Sequence, residues 1–114
     1  MRGLSDPELV GATLAGSQEA FRELVVRFER PVFGLIVRMV GDPETAEDLS
    51  QEVFVKAYRA LASYDPSRKL SSWLFKIAHN ATIDHLRRSA PDSVPLEGDE
   101  AGGDLLATLA DAAA

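Results

Sequence analysis

AEDLSQEVFVKAYRAL at residues 46–61, SYDPSRK at 63–69 and WLFKIAHNATIDHLRR at 73–88 read as helix, turn, helix. In the first, Ala46, Leu49, Val53, Ala57 and Leu61 recur at three- and four-residue intervals and form one buried stripe, which Phe54 and Tyr58 widen. Asp65-Pro66 forces the turn, and Ser71 or Ser72 caps a last helix running to about Ser89. At about 100° per residue, Leu74, Ile77, Ala78 and Ala81 share its packing side, while Lys76, Asn80 and Arg87 lie within roughly 40° of one another on the opposite side, beside Trp73.

Upstream, Gly41 stops one helix and Asp42-Pro43-Glu44 starts the next. The stopped helix begins at the cap Ser17 and carries Phe21, Leu24, Val25, Phe28, Val32, Leu35, Ile36 and Met39. Its stripe keeps phase across Pro31, so the reading is one helix bent at the proline rather than two. Ser5, with Asp6, Pro7 and Glu8 behind it, opens a short first helix ending near Gly16. No segment alternates as a strand does. The expected fold is all-α, a compact bundle of three to four helices over residues 1–90. Residues 91–114, acidic and rich in glycine, are expected to form a flexible C-terminal linker, with at most a weak helix from Leu105 to Ala114.

The net charge of −6 hides an uneven distribution. Asp42, Glu44, Glu47, Asp48 and Glu52 stand in a stretch without a base, whereas Val53 to Pro91 holds seven Lys and Arg against Asp65 and Asp84. A basic segment thus lies between two acidic ones, and the average charge is a poor guide to nucleic-acid binding. The chain of 114 residues has no cysteine, which excludes disulfides and thiolate metal sites. No apolar run approaches the roughly 18 residues of a membrane span, and the start lacks a leader pattern, so the expectation is a cytoplasmic protein without membrane insertion.

The last helix offers a cation, an amide, an aromatic plane and a second cation, groups that hold phosphates, read base edges and stack on unpaired bases. An ordinary solvated face, with Trp73 half in the core, accounts for the same residues. Tyr64, Ser67, Arg68 and Lys69 in the preceding loop could enclose an extruded base, although interhelical loops are commonly polar. In the third helix the macrodipole alone favours acids first and Lys56 and Arg59 last, but Gln51 beside Asp48 and Glu52 makes an exposed patch suited to a basic partner. Catalysis finds no support. His79 and His85 lie about 240° apart and cannot share a metal ion; there is no Glu-x-x-His pair, glycine-rich phosphate loop or G-x-S-x-G elbow. No enzyme and no cofactor is expected.

DPETAEDLSQEVFVKAYRAL followed by WLFKIAHNATIDHLRR, with AFRELVVRFERPVF upstream, resembles conserved region 2 of bacterial RNA polymerase sigma factors of the extracytoplasmic function group, over roughly residues 5–89. The resemblance implies that Asp48, Leu49, Gln51 and Glu52 bind the β′ clamp helices of core RNA polymerase. It implies that the loop from Tyr64 to Ser72, including Ser67, Arg68, Lys69 and Ser71, captures a flipped base of the non-template strand. Trp73, Lys76, His79, Asn80 and Arg87 would recognise the minus-ten promoter element, and Lys56 and Arg59 would lie near single-stranded phosphates. An anti-sigma factor is a further implied partner. Two departures bear on base identity: Leu70-Ser71-Ser72 replaces the common Phe and Arg or Lys before Thr-Trp, and His79-Asn80 replaces Arg-Asn. Region 4, which reads the minus-thirty-five element, is absent from the sequence, which ends inside what resembles the linker, so the chain alone is not expected to direct normal initiation. The competing expectation is a module that binds polymerase or an anti-sigma protein without reading promoters.

Overall fold

Each of the first three helices starts on a side chain that accepts from one of its free amides. In the computed structural model, which describes residues 3–89, Ser5 Oγ accepts from the Glu8 amide at 3.3 Å while the Ser5 amide donates to Glu8 Oε1 at 3.0 Å. This capping box opens α1, Asp6–Leu14. Ser17 Oγ accepts from the Ala20 amide at 3.1 Å and opens α2, Gln18–Val40. Asp42 accepts from the Thr45 amide at 3.2 Å and from its hydroxyl at 2.6 Å, opening α3, Pro43–Ala60. These bonds, the hydroxyl first, hold the Asp42 carboxyl below its usual range. A 3₁₀ turn, Leu61–Ser63, continues α3, and α4 runs from Leu70–Ser89.

α1 ends at Leu14, two residues before the expected Gly16, because Gly16 takes φ 106° and closes the turn by donating to the Thr13 carbonyl. Gly41, at φ 77°, ends α2 with its amide on the Val37 carbonyl, a left-handed conformation that costs glycine little. α2 is one helix through Pro31, as expected from its unbroken stripe. α4 begins before the serines expected to cap it: Ser71 and Ser72 lie in its first turn, and the Trp73 amide donates to the Lys69 carbonyl at 3.3 Å.

α2 is the axis of the bundle, packing against α1, α3 and α4, while α3 and α4 pack on each other. Phe28, Val32, Leu35 and Ile36 of α2 meet Val53 and Ala57 of α3 and Phe75 and Ala78 of α4 in one core, with Leu9 of α1 closing its side. Thr82 is fully buried, and its hydroxyl is satisfied by the Ala78 carbonyl at 2.8 Å. Arg27 ties α1 to α2 through Asp6 at 3.1 Å and also holds Glu23 at 3.2 Å. Tyr58, expected in the core, is 51% exposed and rests edge-on against Phe21, with centroids 4.9 Å apart. The acidic linker and weak helix expected at 91–114 lie outside the described residues.

Candidate functional site

Three surfaces carry the sequence-marked residues. On α3, Asp48, Gln51 and Glu52 are exposed near the acidic start, and Lys56 and Arg59 are exposed one to two turns later. Leu49 is not on that surface. It is buried with Ala46 and Val53, where its place in the apolar stripe puts it, so it supports the patch from beneath. Glu52 and Lys56, assigned by the sequence to different partners, form an ion pair at 3.5 Å. Arg59 has no ion partner among the described residues.

Gln51 also borders a groove of about 420 Å³ between α2 and α3, where Val25, Phe33 and Phe54 supply apolar walls and Glu29, Arg30 and Glu47 a charged rim. Ser50 lies in its wall, with a buried hydroxyl that has no partner among the described residues. The α2 side of this groove was missed in the sequence, where Val25 read as part of the apolar stripe and Phe33 was not singled out. Both are only partly buried, because α3 leaves that edge of α2 uncovered.

The loop between the 3₁₀ turn and α4 is held from within. Tyr64, assigned to base capture, is buried, its hydroxyl donates to the Arg68 carbonyl, and its ring lies 5.3 Å from that of Trp73. Burial, and then the charges of Asp6 and Asp65, raise the Tyr64 phenol above its usual range and keep it a neutral donor. Asp65 Oδ1 accepts from the Ser67 amide at 2.9 Å and its hydroxyl at 2.8 Å, an Asx turn whose amide bond is the main reason the carboxyl is lowered. Ser67, Arg68 and Lys69 project outward, with Arg68 Nε 3.7 Å from Asp65. The exposed pieces are therefore two cations and a hydroxyl on a shaped turn, and the aromatic residue is its internal anchor.

On α4, Ser72, Lys76, Asn80 and Arg87 are exposed and Trp73 is half-buried, as the helical arithmetic placed them. Ser71 and His79 are buried instead. α4 is covered by both α2 and α3, which widens its buried arc to include Phe75, His79 and Thr82. His79 is 8% exposed, and its Nε2 has no partner among the described residues. Asn80 and Arg87 line one polar concavity of about 500 Å³ with His79, Ile83 and Asp84. The sequence reading passed over Asp84, although four residues from Asn80 is roughly 40° and the same arithmetic would have placed it there. Among the described residues no group of His, Cys, Asp or Glu could hold a metal ion, and no helix is long and apolar enough to cross a membrane.

Residues 24–91 match the family described as Sigma-70 region 2. The chain is 43% identical over 77 residues to the ECF RNA polymerase sigma factor SigW of Bacillus subtilis, covering 68% of this chain and 41% of the relative. It is 41% identical over 91 residues to the RNA polymerase sigma-H factor of Pseudomonas aeruginosa, covering 77% and 47%. To the ECF RNA polymerase sigma-E factor of Escherichia coli K12 it is 38% identical over 109 residues, covering 90% and 56%. The chain thus spans about half the length of these relatives. Among solved structures it is similar to an engineered region 2 of sigmaE in complex with GTAAAA, with TM-score 0.69 and 44% identity over 75% of this chain and 93% of that one.

Proposed function

The chain belongs to the sigma-70 region 2 family, and on that premise we propose that it is a transcription-initiation domain that docks on core RNA polymerase and holds the single-stranded non-template minus-ten element. The observation that carries this reading is the α4 concavity, where Asn80 and Arg87 stand together in the open, one and three turns beyond Lys76. A similar domain, an engineered region 2 of sigmaE, is known in complex with GTAAAA, which supports a short nucleic-acid strand as the ligand of this domain.

In this reading Asp48, Gln51 and Glu52 meet the β′ clamp helices, with Leu49 fixing the patch from below and the neighbouring α2–α3 groove extending it. Lys56 and Arg59 of α3 take phosphates. Ser67, Arg68, Lys69 and Ser72 surround an extruded base on a turn that Tyr64 and Ser71 support from inside. Trp73, Lys76, Asn80 and Arg87 contact the strand, and His79 backs Asn80. The domain supplies specificity and carries out no catalysis itself; its place is the cytoplasm, and an anti-sigma factor would compete for the same surfaces.

Asn80→Ala is expected to reduce discrimination among minus-ten hexamers by roughly tenfold, the order of one base contact, while overall affinity falls less. Fluorescence anisotropy on single-stranded hexamers measures this, and equal loss on every sequence would refute a base-reading role. A polymerase-binding module without promoter reading would instead bind clamp helices and show no hexamer preference in the wild type. Arg59→Ala is expected to weaken all sequences alike and to flatten the log-log salt dependence by about 0.7 for one single-strand phosphate. An unchanged slope would mean that Arg59 is only solvated. Lys56→Ala tests the same role for a cation already engaged by Glu52.

A further inference from the structure

Asp84 stands exposed in the α4 concavity, beside the groups that make that face suitable for DNA. Arg87 and Arg88 follow at three and four residues, the spacing at which an acid followed by a base pairs readily along a helix. Yet Asp84 has no ion pair or hydrogen bond among the described residues. A face that only held phosphates would gain nothing from a free carboxylate beside its readers, since like charges repel at this range. An ionised carboxylate is an acceptor with no donor, so the groups it can receive are N–H donors.

We propose that Asp84 is the specificity-determining residue of this concavity, which takes a base carrying an exocyclic amino group and rejects thymine. The inference rests on the reading of α4 as the strand-binding face. An unpaired base presents its Watson–Crick edge. Guanine offers two adjacent donors, N1–H and the N2 amino group, which span both oxygens of one carboxylate; cytosine and adenine each offer one amino group. Thymine offers only N3–H between two carbonyl oxygens, and both would face the carboxylate. Asn80 cannot make this distinction, because its amide both donates and accepts and so satisfies either type of edge. The order of preference at this position is guanine, then cytosine and adenine, then thymine.

The test is selection of the full chain against a pool of random single-stranded DNA decamers at low salt, sequencing the bound fraction for wild type, Asp84→Asn and Asp84→Ala. Asp84 is exposed, so neither substitution disturbs the core. In the wild type, one position should show thymine depleted about tenfold relative to the amino-bearing bases. Both variants should lose that depletion while preferences at other positions stand. Depletion that persists in Asp84→Asn, or a uniform gain in affinity with every preference intact, would overturn the assignment and leave Asp84 as a repulsive charge. A wild type with no preference at any position would remove the base-reading function itself, and this inference with it.

Discussion

Phe75→Ala is expected to cost about 3–5 kcal/mol, the range for removing a buried aromatic ring. Phe75 is the largest side chain among those fully buried, and it lies on α4, which is covered by both α2 and α3. Its removal leaves a hole that three helices must close together, and helices fixed by caps and by one another relax only in part. Small domains are stable by about 5–15 kcal/mol, so the variant should lose a large fraction of its stability. Trp73, the one tryptophan of the chain, is half-buried against Tyr64 and reports unfolding by fluorescence in a urea titration. The midpoint should fall while the slope is retained. A loss below about 1 kcal/mol would show that the α2–α3–α4 junction can collapse on the cavity and is not the rigid centre described above.

Glu52→Ala is expected to release a purified β′ clamp-helix fragment, weakening binding by about 2 kcal/mol, or roughly 30-fold, as for a charged residue central to an interface. The variant also frees Lys56, but an exposed i,i+4 pair contributes only a few tenths of a kcal/mol, so the fold should be unchanged. Lost affinity with an unchanged unfolding midpoint is the expected pair of results. Unchanged affinity would move docking away from the acidic end of α3, with the Val25 and Phe33 groove the next surface to alter. Glu52→Gln separates the loss of charge from the loss of contact area.

The helices were legible where caps and apolar spacing coincide. Ser5, Ser17 and Asp42 start helices as their sequence contexts indicate, Gly41 ends one, and α2 runs through Pro31 in the phase its stripe kept. The exposure of Asp48, Gln51, Glu52, Lys76, Asn80 and Arg87 was also legible, since helical arithmetic needs only one turn of geometry. What escaped depends on how many neighbours an element has. α4 was read as packing on one side, whereas α2 and α3 together bury Ser71 and His79. Tyr58 was counted as core for its ring, but it lies at the edge where Phe21 shields only one side. Tyr64 looked like a surface aromatic because nothing local reveals that its hydroxyl closes its own loop. Leu49 carried two expectations, and the apolar stripe outweighed the motif.

The attachment of α1 governs more than the edge of the bundle. This helix has nine residues, too few to persist alone, and it is held by Leu9 and Val10 in the core and by the Asp6 pair with Arg27. It also packs against the 3₁₀ turn that leads into Tyr64. A brief local opening of α1 would therefore uncover the turn and loosen the anchor of the loop without unfolding the three longer helices. The geometry of the loop from Tyr64 to Lys69 is thus set in part by the least independent helix of the domain, and the lifetime of that loop's shape is limited by how often α1 lets go.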